Sequence, residues 1–501
     1  MSCPAPLSIT DLFDPAADVL AEVSDHLYGQ LLAWLLIAVG IWFTVRTRGL
    51  QFRLFGQMLR AIAGSRAGGE GISSFQAFTI GLASRVGTGN IVGVALAIIL
   101  GGPGAVFWMW VVALVGMATA FFEATLAQIF KVRAPDGSFR GGPAFYMARG
   151  MGGAGGRVMA GVFAVITLVT CGFIITSVQS NAVAGTLVAA LGGGQESALP
   201  GFGGLTAAQL VVAGLVFVLT AVVVFGGIRA VARVTEWMAP IMALVYIVLV
   251  LIICLANLSD FIRVIGQIFS SAFAPEPLVG GLGGGILAAV INGTKRGLFS
   301  NEAGQGTAPN AAATATVAHP VQQGFIQSLG VFVDTIIVCT ATAFVILIAG
   351  PETWGAEGAD PSTLTTLAIS HELGGWTVLP MAILIFVLAY SSIIAAYVYT
   401  DVNMDYLTGG RRWASWTVRV VSVVSATAGA VLSLDVVWNA VDIAMAVMTL
   451  TNLVALLWLF RWGAGALRDY EAQRAHGVAD PVFRGRGNPH LPADVPGDAW
   501  D

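Results

Sequence analysis

One apolar segment, long enough to cross a membrane, is interrupted in its middle by glycines and polar residues. Residues 81–97 read GLASRVGTGNIVGVALA, and the interruption is Gly87-Thr88-Gly89-Asn90. Each glycine in a helix interior costs about 0.5–1 kcal/mol relative to alanine. Backbone that leaves the helix at membrane depth must find partners in the protein or line a water-filled cavity. The sequence therefore predicts a broken transmembrane helix whose freed backbone groups are available to a ligand.

The composition predicts an all-α polytopic membrane protein. Of 501 residues, 56% are hydrophobic and only 10% are charged, whereas soluble domains are about 25% charged. A net charge of −4, with the basic residues clustered in loops, argues against a nucleic-acid partner. The four cysteines are scattered, and the sequence has no HExxH, GxSxG or P-loop motif. We therefore expect no enzyme activity and no organic or structural-metal cofactor.

Apolar segments of spanning length predict eleven membrane crossings. One of them is a glycine- and alanine-rich segment that is interrupted like the first broken helix, and we count it as a single span. The spans lie near residues 29–46, 74–100, 104–130, 158–190, 205–226, 234–257, 280–318, 325–350, 375–400, 415–433 and 437–461.

The distribution of Lys and Arg predicts the orientation in the cell membrane. Basic residues are concentrated in alternate loops, and the intervening loops have almost none, which places the N-terminus outside and the C-terminus inside. Residues 1–28 are then an extracytoplasmic segment, and 29–464 form the membrane domain. The polar, Pro- and Gly-rich residues 465–501 are expected to be a disordered cytoplasmic tail.

Without the first span, the remaining ten divide into two halves of five, at 74–257 and 280–461. Halves with an odd number of spans must have inverted topology. The two broken spans are the first of each half, and broken helices in matching positions of inverted repeats mark the midplane binding site of a transporter. The topology, rather than residue-level similarity, predicts this 5+5 repeat.

The first break offers both donors and acceptors. The N–H groups of Gly87, Thr88 and Gly89, at the start of a half-helix, suit a carboxylate. The carbonyls of Ala83 and Val86 point the other way and suit a sodium ion. An amino-acid zwitterion beside a cation would satisfy both ends. The alternative is that the glycines only permit close helix packing.

The second break, 297–306, places four polar side chains between glycines, among them Asn301 and Glu302. An intramembrane carboxylate marks a functional site or a buried ion pair. Glu302 is thus a candidate to hold the substrate ammonium or a cation, and equally a structural partner of Lys295, Arg296 or Arg85.

Two further carboxylates, Glu123 and Asp334, lie inside predicted spans. Each is better explained as a structural partner of an arginine or of a helix end. Arg85, beside the first break, pairs with Glu302 or Glu123 or acts as an internal cation.

Two other predicted helices contribute candidates. In 375–400, the hydroxyls of Ser391 and Ser392 and a carbonyl at Leu388 would complete an oxygen cage with the first broken helix, although back-bonding to the preceding turn is an alternative. In 158–190, Phe173 and Thr176 are candidates to wall a pocket. Gln179 and Asn181, in the same helix, are candidates to link helices.

Five runs of this sequence carry a family resemblance: VGTGNIVGVA, GGPGAVFWMW, FRGGPAFY, RGLFSNEAGQGTAPNAAA and HPVQQG…LGVFVDT. They resemble the alanine/glycine:cation symporter family over about residues 30–465. The resemblance implies a LeuT-type 5+5 inverted-repeat fold (APC-superfamily-like) with one extra N-terminal helix. It also implies a secondary symporter for small neutral amino acids driven by sodium. A proton-coupled symporter, and a facilitator or sensor with the same fold, are the alternatives, and no obligatory protein partner is implied.

The resemblance assigns roles to several residues. Gly87, Thr88 and Gly89 match the unwound helix that holds the substrate carboxylate, and Asn90 matches an Asn near the ligand. Ala396 falls on the face that walls the substrate side chain, one turn past Ser392. The residues that match the shared sodium site are Ala83, Val86, Leu388, Ser391 and Ser392.

The sequence departs from the family at the pocket wall. Many members have Trp where this chain has Ala396, and Gly-Glu where it has Thr400-Asp401. The smaller residue frees volume that the methyl group of alanine would not fill. We therefore predict that the chain accepts a larger substrate, with glutamine as the first candidate.

Overall fold

The computed structural model describes residues 14–64, 72–134, 137–191, 205–274, 285–431 and 434–500. These residues are mostly helical, with one short antiparallel hairpin, Val132–Arg133 and Phe139–Arg140. The α-helices are Asp14–Leu27, Ala33–Arg46, Leu50–Arg53, Phe55–Ala63, Ser74–Arg85, Val92–Gly101, Gly104–Ile129, Pro143–Tyr146, Gly153–Val169, Thr176–Ala190, Ala207–Val224, Gly227–Ala256, Leu258–Ala272, Gly285–Asn301, Ala308–Ala312, Pro320–Val331, Thr340–Ile348, Pro351–Trp354, Pro361–Leu373, Val378–Thr408, Arg412–Gly429, Leu434–Trp458 and Phe460–Ala475. The π-helical turns are Tyr28–Leu32, Met147–Met151, Thr170–Ile175 and Phe332–Cys339, and the 3₁₀ turns are Thr88–Asn90 and Gly375–Thr377.

Within the described ranges, eight helices are long and apolar enough to cross a membrane, or nine if one bent pair is counted as a single span. Two of the eleven predicted spans, 280–318 and 415–433, are not among them. Both are helical in part, as Gly285–Asn301 and Arg412–Gly429, but each helix carries two basic residues that lower its apolar character. The count of eleven therefore remains a prediction.

The first broken span begins with a capping box. The Ser73 hydroxyl accepts from the Gln76 N–H and the Gln76 side chain accepts from the Ser73 N–H, both at 3.1 Å. The helix Ser74–Arg85 then ends, Thr88–Asn90 form a 3₁₀ turn, and a second helix continues to Gly101 at an angle of 51° to the first. The predicted break is confirmed at the predicted residues.

The second broken span is interrupted between Gly285–Asn301 and Ala308–Ala312. The chain turns there through left-handed backbone, with φ of +57° at Glu302, +93° at Gly304 and +88° at Gly306. A non-glycine residue with positive φ is uncommon. The side-chain bonds of Glu302, described below, hold it in that conformation.

Two long helices hold the broken spans in place. Gly104–Ile129 packs along Gly285–Asn301 and Pro320–Val331, and Val378–Thr408 packs on Ser74–Arg85 and Thr176–Ala190. Small residues allow the backbones to approach closely. A Cβ added at Gly293, for example, would meet the carbonyl oxygen of Ala105 on the neighbouring helix.

The C-terminal residues differ from the disordered tail expected from 465 onward. Phe460–Ala475 is a helix, and the chain after it folds back onto the body of the protein. The Phe483 N–H donates to Ala318 O at 3.0 Å, and Trp500 Nε1 donates to Gln128 O at 2.9 Å. Aromatic side chains within this polar segment, such as Phe483 and Trp500, supply the apolar surface for packing. The polar overall composition of the segment does not indicate that surface.

Candidate functional site

The hydroxyls of Ser391 and Ser392 meet backbone carbonyls of the first broken span. Ser391 Oγ donates to Ala83 O at 3.1 Å, and Ser392 Oγ donates to Ala83 O at 2.8 Å and to Ser84 O at 3.1 Å. Leu388 O lies within the same range of both hydroxyl oxygens, at 2.7 and 3.3 Å, so several carbonyls compete for the single proton of each hydroxyl. We call Ala83, Ser84, Leu388, Ser391 and Ser392 the serine cage. Its oxygens are the ligand type that hard cations prefer.

Val86 is the predicted cation-site residue that is not part of the serine cage. It lies at the point where the helix Ser74–Arg85 ends. Its N–H still donates to Leu82 O at 2.7 Å, but its ψ of 79° takes the chain out of the helix. The side chain is fully buried. The carbonyls of this last turn are therefore released from regular helical bonding close to the serine cage.

Side-chain oxygens already accept from two of the backbone donors that the sequence assigned to a carboxylate. The Gly87 N–H donates to Asn90 Oδ1 at 2.9 Å. The Thr88 N–H and hydroxyl both donate to Gln179 Oε1, at 3.1 and 2.8 Å. The Gln179 amide oxygen thus accepts from the two donors of Thr88 as one carboxylate oxygen would.

Asp334 links the two breaks. One of its carboxylate oxygens accepts from Asn90 Nδ2 at 2.6 Å, and the other accepts from the Ser300 hydroxyl at 2.8 Å and the Thr335 hydroxyl at 2.7 Å. Asp334 is fully buried. Among the described residues no arginine donates a hydrogen bond to Asp334, and its carboxylate partners are an amide and two hydroxyls.

Glu302 connects the second break to the first and to Val378–Thr408. Its carboxylate accepts from Ser84 Oγ at 2.5 Å, from Thr307 Oγ1 at 2.8 Å and from Tyr399 Oη at 3.4 Å. Ser84 also contributes its carbonyl to the serine cage. A change at the cage can therefore reach Glu302 through a single residue.

The expected ion pairs of Glu302 with Lys295 and Arg296 are not formed. Lys295 Nζ lies 2.6 Å from Asp25 Oδ1, and Arg296 Nη2 lies 2.5 Å from Asp442 Oδ2. Both basic side chains belong to the helix before the break, where they meet acids of two other helices. This leaves Glu302 with hydroxyl donors.

In the described residues, Arg85 forms no direct ion pair with Glu123 or with Glu302. Glu123 accepts from the Gly304 N–H at 3.0 Å and from Asn452 Nδ2 at 2.6 Å, so it stabilises the second break. Arg85 instead donates to oxygens of Asn301 and Gln327. Glu123 therefore bonds the backbone of the turn between Gly285–Asn301 and Ala308–Ala312, and it receives no hydrogen bond from Arg85 among the described residues.

The remaining candidates are divided. The Asn301 side chain accepts from the Ala303 N–H at 3.0 Å and donates to Thr335 Oγ1 at 3.2 Å, so it shapes the break. Thr176 is buried and donates to Cys171 O at 2.8 Å. Ala396, 1% exposed, lies one turn past Ser392 on the same helix face.

Phe173 requires a correction. Its side chain is 44% exposed, so it faces away from the protein core and does not wall an internal pocket. It lies in the π-helical turn Thr170–Ile175. A π-helical turn changes the angle between successive side chains, and the sequence-based placement assumed a regular α-helix.

The prediction from sequence did not assign two of the residues that complete the site. The prediction does not include Ser84, although it directly precedes Arg85 at the break, and it places Gln179 among the residues that link helices. A signal existed for Gln179, since a long amide in an apolar helix needs a buried partner. The pairing of that amide with Thr88, 91 positions away in sequence, is a tertiary contact.

The chain is similar in sequence to known membrane transporters. Residues 14–485 match the model of the sodium:alanine symporter family. The chain is 42% identical to the amino-acid carrier protein AlsT of Bacillus subtilis, covering 94% of this chain and 96% of that protein. It is 39% identical to the probable sodium/glutamine symporter GlnT of the same organism, covering 93% and 92%.

A solved structure shares the fold. The crystal structure of MhsT in complex with L-phenylalanine aligns with a TM-score of 0.54 at 16% identity, covering 77% of this chain and 89% of that one. At this identity the similarity concerns the fold alone.

Proposed function

Because this chain belongs to the sodium:alanine symporter family, a family of membrane transporters and not of enzymes, we propose that it moves a small neutral amino acid into the cell together with sodium. The observation that carries this proposal is the serine cage beside the first break. Two hydroxyls and the carbonyls of two separate helices converge there within 2.7–3.3 Å. A sodium ion at this place would replace hydroxyl–carbonyl bonds that now join the helices directly.

Substrate binding would use the donors of Gly87, Thr88 and Gly89, with Asn90 beside them. A carboxylate oxygen would replace Gln179 Oε1 at the two donors of Thr88, and the charged acceptor makes the stronger hydrogen bonds. Thr176, Asn301, Ser392 and Ala396 remain the proposed surroundings of the ligand.

Sodium and substrate would be coupled through the broken helix. Sodium at the serine cage, including Val86, would fix the end of Ser74–Arg85 and so position the donors that follow it. Such coupling is reciprocal, so the amino acid must strengthen sodium binding by the same factor. Alternating access would then follow from movement of the broken helices against the remaining spans.

The arrangement in the membrane belongs to the same proposal. We propose eleven spans, with 74–257 and 280–461 as inverted repeats, the N-terminus outside and the C-terminus inside. The basic loops support this orientation. The order of described helices also fits, since each broken span would be followed by four further crossings of its half.

The substrate is proposed to be larger than glycine or alanine, with glutamine as the first candidate. The buried Ala396 supports this, as does the similarity to a probable sodium/glutamine symporter. Competition for uptake should then rank glutamine above alanine. Alanine preferred over every larger amino acid would contradict the proposal.

Uptake of radiolabelled alanine and glutamine into proteoliposomes, with and without an inward sodium gradient, tests the function. We expect accumulation only with the gradient. Accumulation that follows a proton gradient and ignores sodium would favour the proton-coupled alternative. Equilibration without accumulation would favour a facilitator, and binding without uptake would favour a sensor.

A further inference from the structure

Arg85 is a buried guanidinium at the first break without a directly paired acid. It is the last residue of Ser74–Arg85 and is 1% exposed. None of the recorded ion pairs within 4 Å among the described residues includes it. Because a charge at membrane depth is costly, its position requires compensation from other groups.

The partners of Arg85 are oxygens of the second broken span and of the helix after it. Its Nε donates to Asn301 O at 2.9 Å, and its Nη1 donates to Gln327 Oε1 at 2.9 Å. Its Nη2 has no hydrogen-bond partner among the described residues. The guanidinium therefore joins the end of one broken span to the break of the other.

Asn301 is the C-terminal residue of its half-helix, Gly285–Asn301. Helix C-terminal carbonyls carry the negative end of the helix dipole. In transporters with broken helices, such half-helix ends coordinate the transported cation. In this protein the Asn301 carbonyl accepts instead from Arg85, whose positive charge belongs to the chain itself.

Three buried carboxylates surround the same region. Glu123, Glu302 and Asp334 all interact electrostatically with Arg85. Their hydrogen-bond donors are amides and hydroxyls, which carry no net charge. Among the described residues, Arg85 is therefore the positive side chain that all three acids share as an electrostatic partner.

We propose that Arg85 is a resident cation. It supplies at the second break the positive charge that a second transported cation would otherwise supply, so that one sodium ion, held at the serine cage, accompanies each amino acid. The inference rests on the proposed sodium symport and adds its stoichiometry. A charge that never leaves the protein partly offsets the charge of these acids in every step of the cycle.

The test is the reversal potential of alanine-driven current in proteoliposomes at known sodium and alanine gradients. Alanine is a zwitterion with no net charge, so the net charge moved per alanine equals the number of monovalent cations that accompany it. For the wild type we expect one charge per alanine. Two sodium ions per alanine in the wild type would overturn the proposal, whereas alanine transport without any sodium dependence would instead refute the proposed symport.

Two variants separate charge from hydrogen bonding. Arg85→Lys keeps the charge and should retain one charge per alanine. Arg85→Gln keeps hydrogen-bonding capacity without charge, and should move a second cation with each alanine, because the acids then lack the resident positive charge. Arg263→Gln, at a side chain 41% exposed, is the matched control and should behave as wild type.

Wild-type stoichiometry in Arg85→Gln would overturn the proposal. If Arg85→Gln yields no folded protein, Arg85→Lys decides alone. Folded but inactive Arg85→Lys would assign the residue to hydrogen-bonding geometry, and so also overturn the proposal.

Discussion

Gly87 occupies a space that admits no side chain. A Cβ at this position would meet Ser392 Oγ and would lie 3.2 Å from Gln179 Oε1. Its φ of −135° is accessible to any residue, so the requirement for glycine comes from packing and not from backbone strain. Gly87 thus lets the break, the serine cage and the amide of Gln179 come together.

Replacing Gly87 by alanine should therefore displace Ser392 from the carbonyls of Ala83 and Ser84. We expect sodium-dependent uptake to fall at least about tenfold, because the hydroxyl is a proposed sodium ligand. Uptake in proteoliposomes, normalised to the amount of folded protein, measures the effect.

Gly161→Ala is the control for the Gly87 variant. A Cβ there meets no atom within 4 Å, and alanine favours a helix over glycine by about 0.5–1 kcal/mol. The control should transport as wild type. Equal uptake by the Gly87 variant and this control would contradict the packing argument.

At the level of elements, the two broken spans are joined by Asp334. Its two oxygens accept from Asn90 on the first break and from Ser300 on the second. An amide in its place has only one acceptor oxygen, so its NH₂ group would face either the Asn90 amide, which also donates, or the Ser300 and Thr335 hydroxyls, which would have to turn and accept. Leaving a buried donor unsatisfied costs about 1–3 kcal/mol.

Asp334→Asn should therefore lower the thermal midpoint of the detergent-solubilised protein and reduce uptake. Asp260→Asn, at an exposed pair with Arg263, is the matched control and should leave both properties unchanged. An Asp334 variant as stable and active as the wild type would show that the breaks do not depend on this link.

The helices and breaks could be predicted from sequence because their signals are local. Glycines beside polar residues mark the break at Gly87–Asn90, and apolar length marks the spans. The contact of Gln179 with Thr88 and the partners of Arg85 depend on which helices pack together. The outward position of Phe173 depends on a π-helical turn that side-chain periodicity does not reveal.

For the molecule as a whole, the C-terminal segment is tied to the ends of membrane helices. His319 Nε2 lies 3.1 Å from Asp469 Oδ2, and its Nδ1 accepts from the Val321 N–H at 3.2 Å, which caps the helix Pro320–Val331. His319 also contacts the ring of Phe483 at 5.2 Å between centroids. These bonds fit the neutral ring with its proton on Nε2.

Acidification should weaken this contact. Burial lowers the pKa of His319 from 6.5, although Asp469 partly opposes the shift. A lowered pKa means that the unfolded chain binds the proton more readily, so the stabilisation is complete above pH 6.5 and is lost progressively as pH falls from 6.5 through the lower pKa of the folded protein. Protonation of Nδ1 also removes the helix cap, at a cost of about 0.5–2 kcal/mol.

The thermal midpoint should therefore fall between pH 7.5 and 5.5 by more in the wild type than in His319→Asn. Asparagine is a good N-cap and does not titrate. The difference between the two proteins therefore reports the protonation of the His319 ring. The same pH dependence in both proteins would exclude His319 as its source.

The central claim is that sodium at the serine cage improves amino-acid binding at the adjacent break. The most direct measurement is equilibrium binding to the purified protein: the Kd of alanine with and without sodium, and the Kd of sodium with and without alanine. Both ratios should be equal in the wild type, at least about fivefold. The ratio should fall to near one in Ser392→Ala, and remain unchanged in Ser422→Ala, a buried serine whose hydroxyl has no partner among the described residues. A wild-type ratio of one, or the full ratio in Ser392→Ala, would contradict the account.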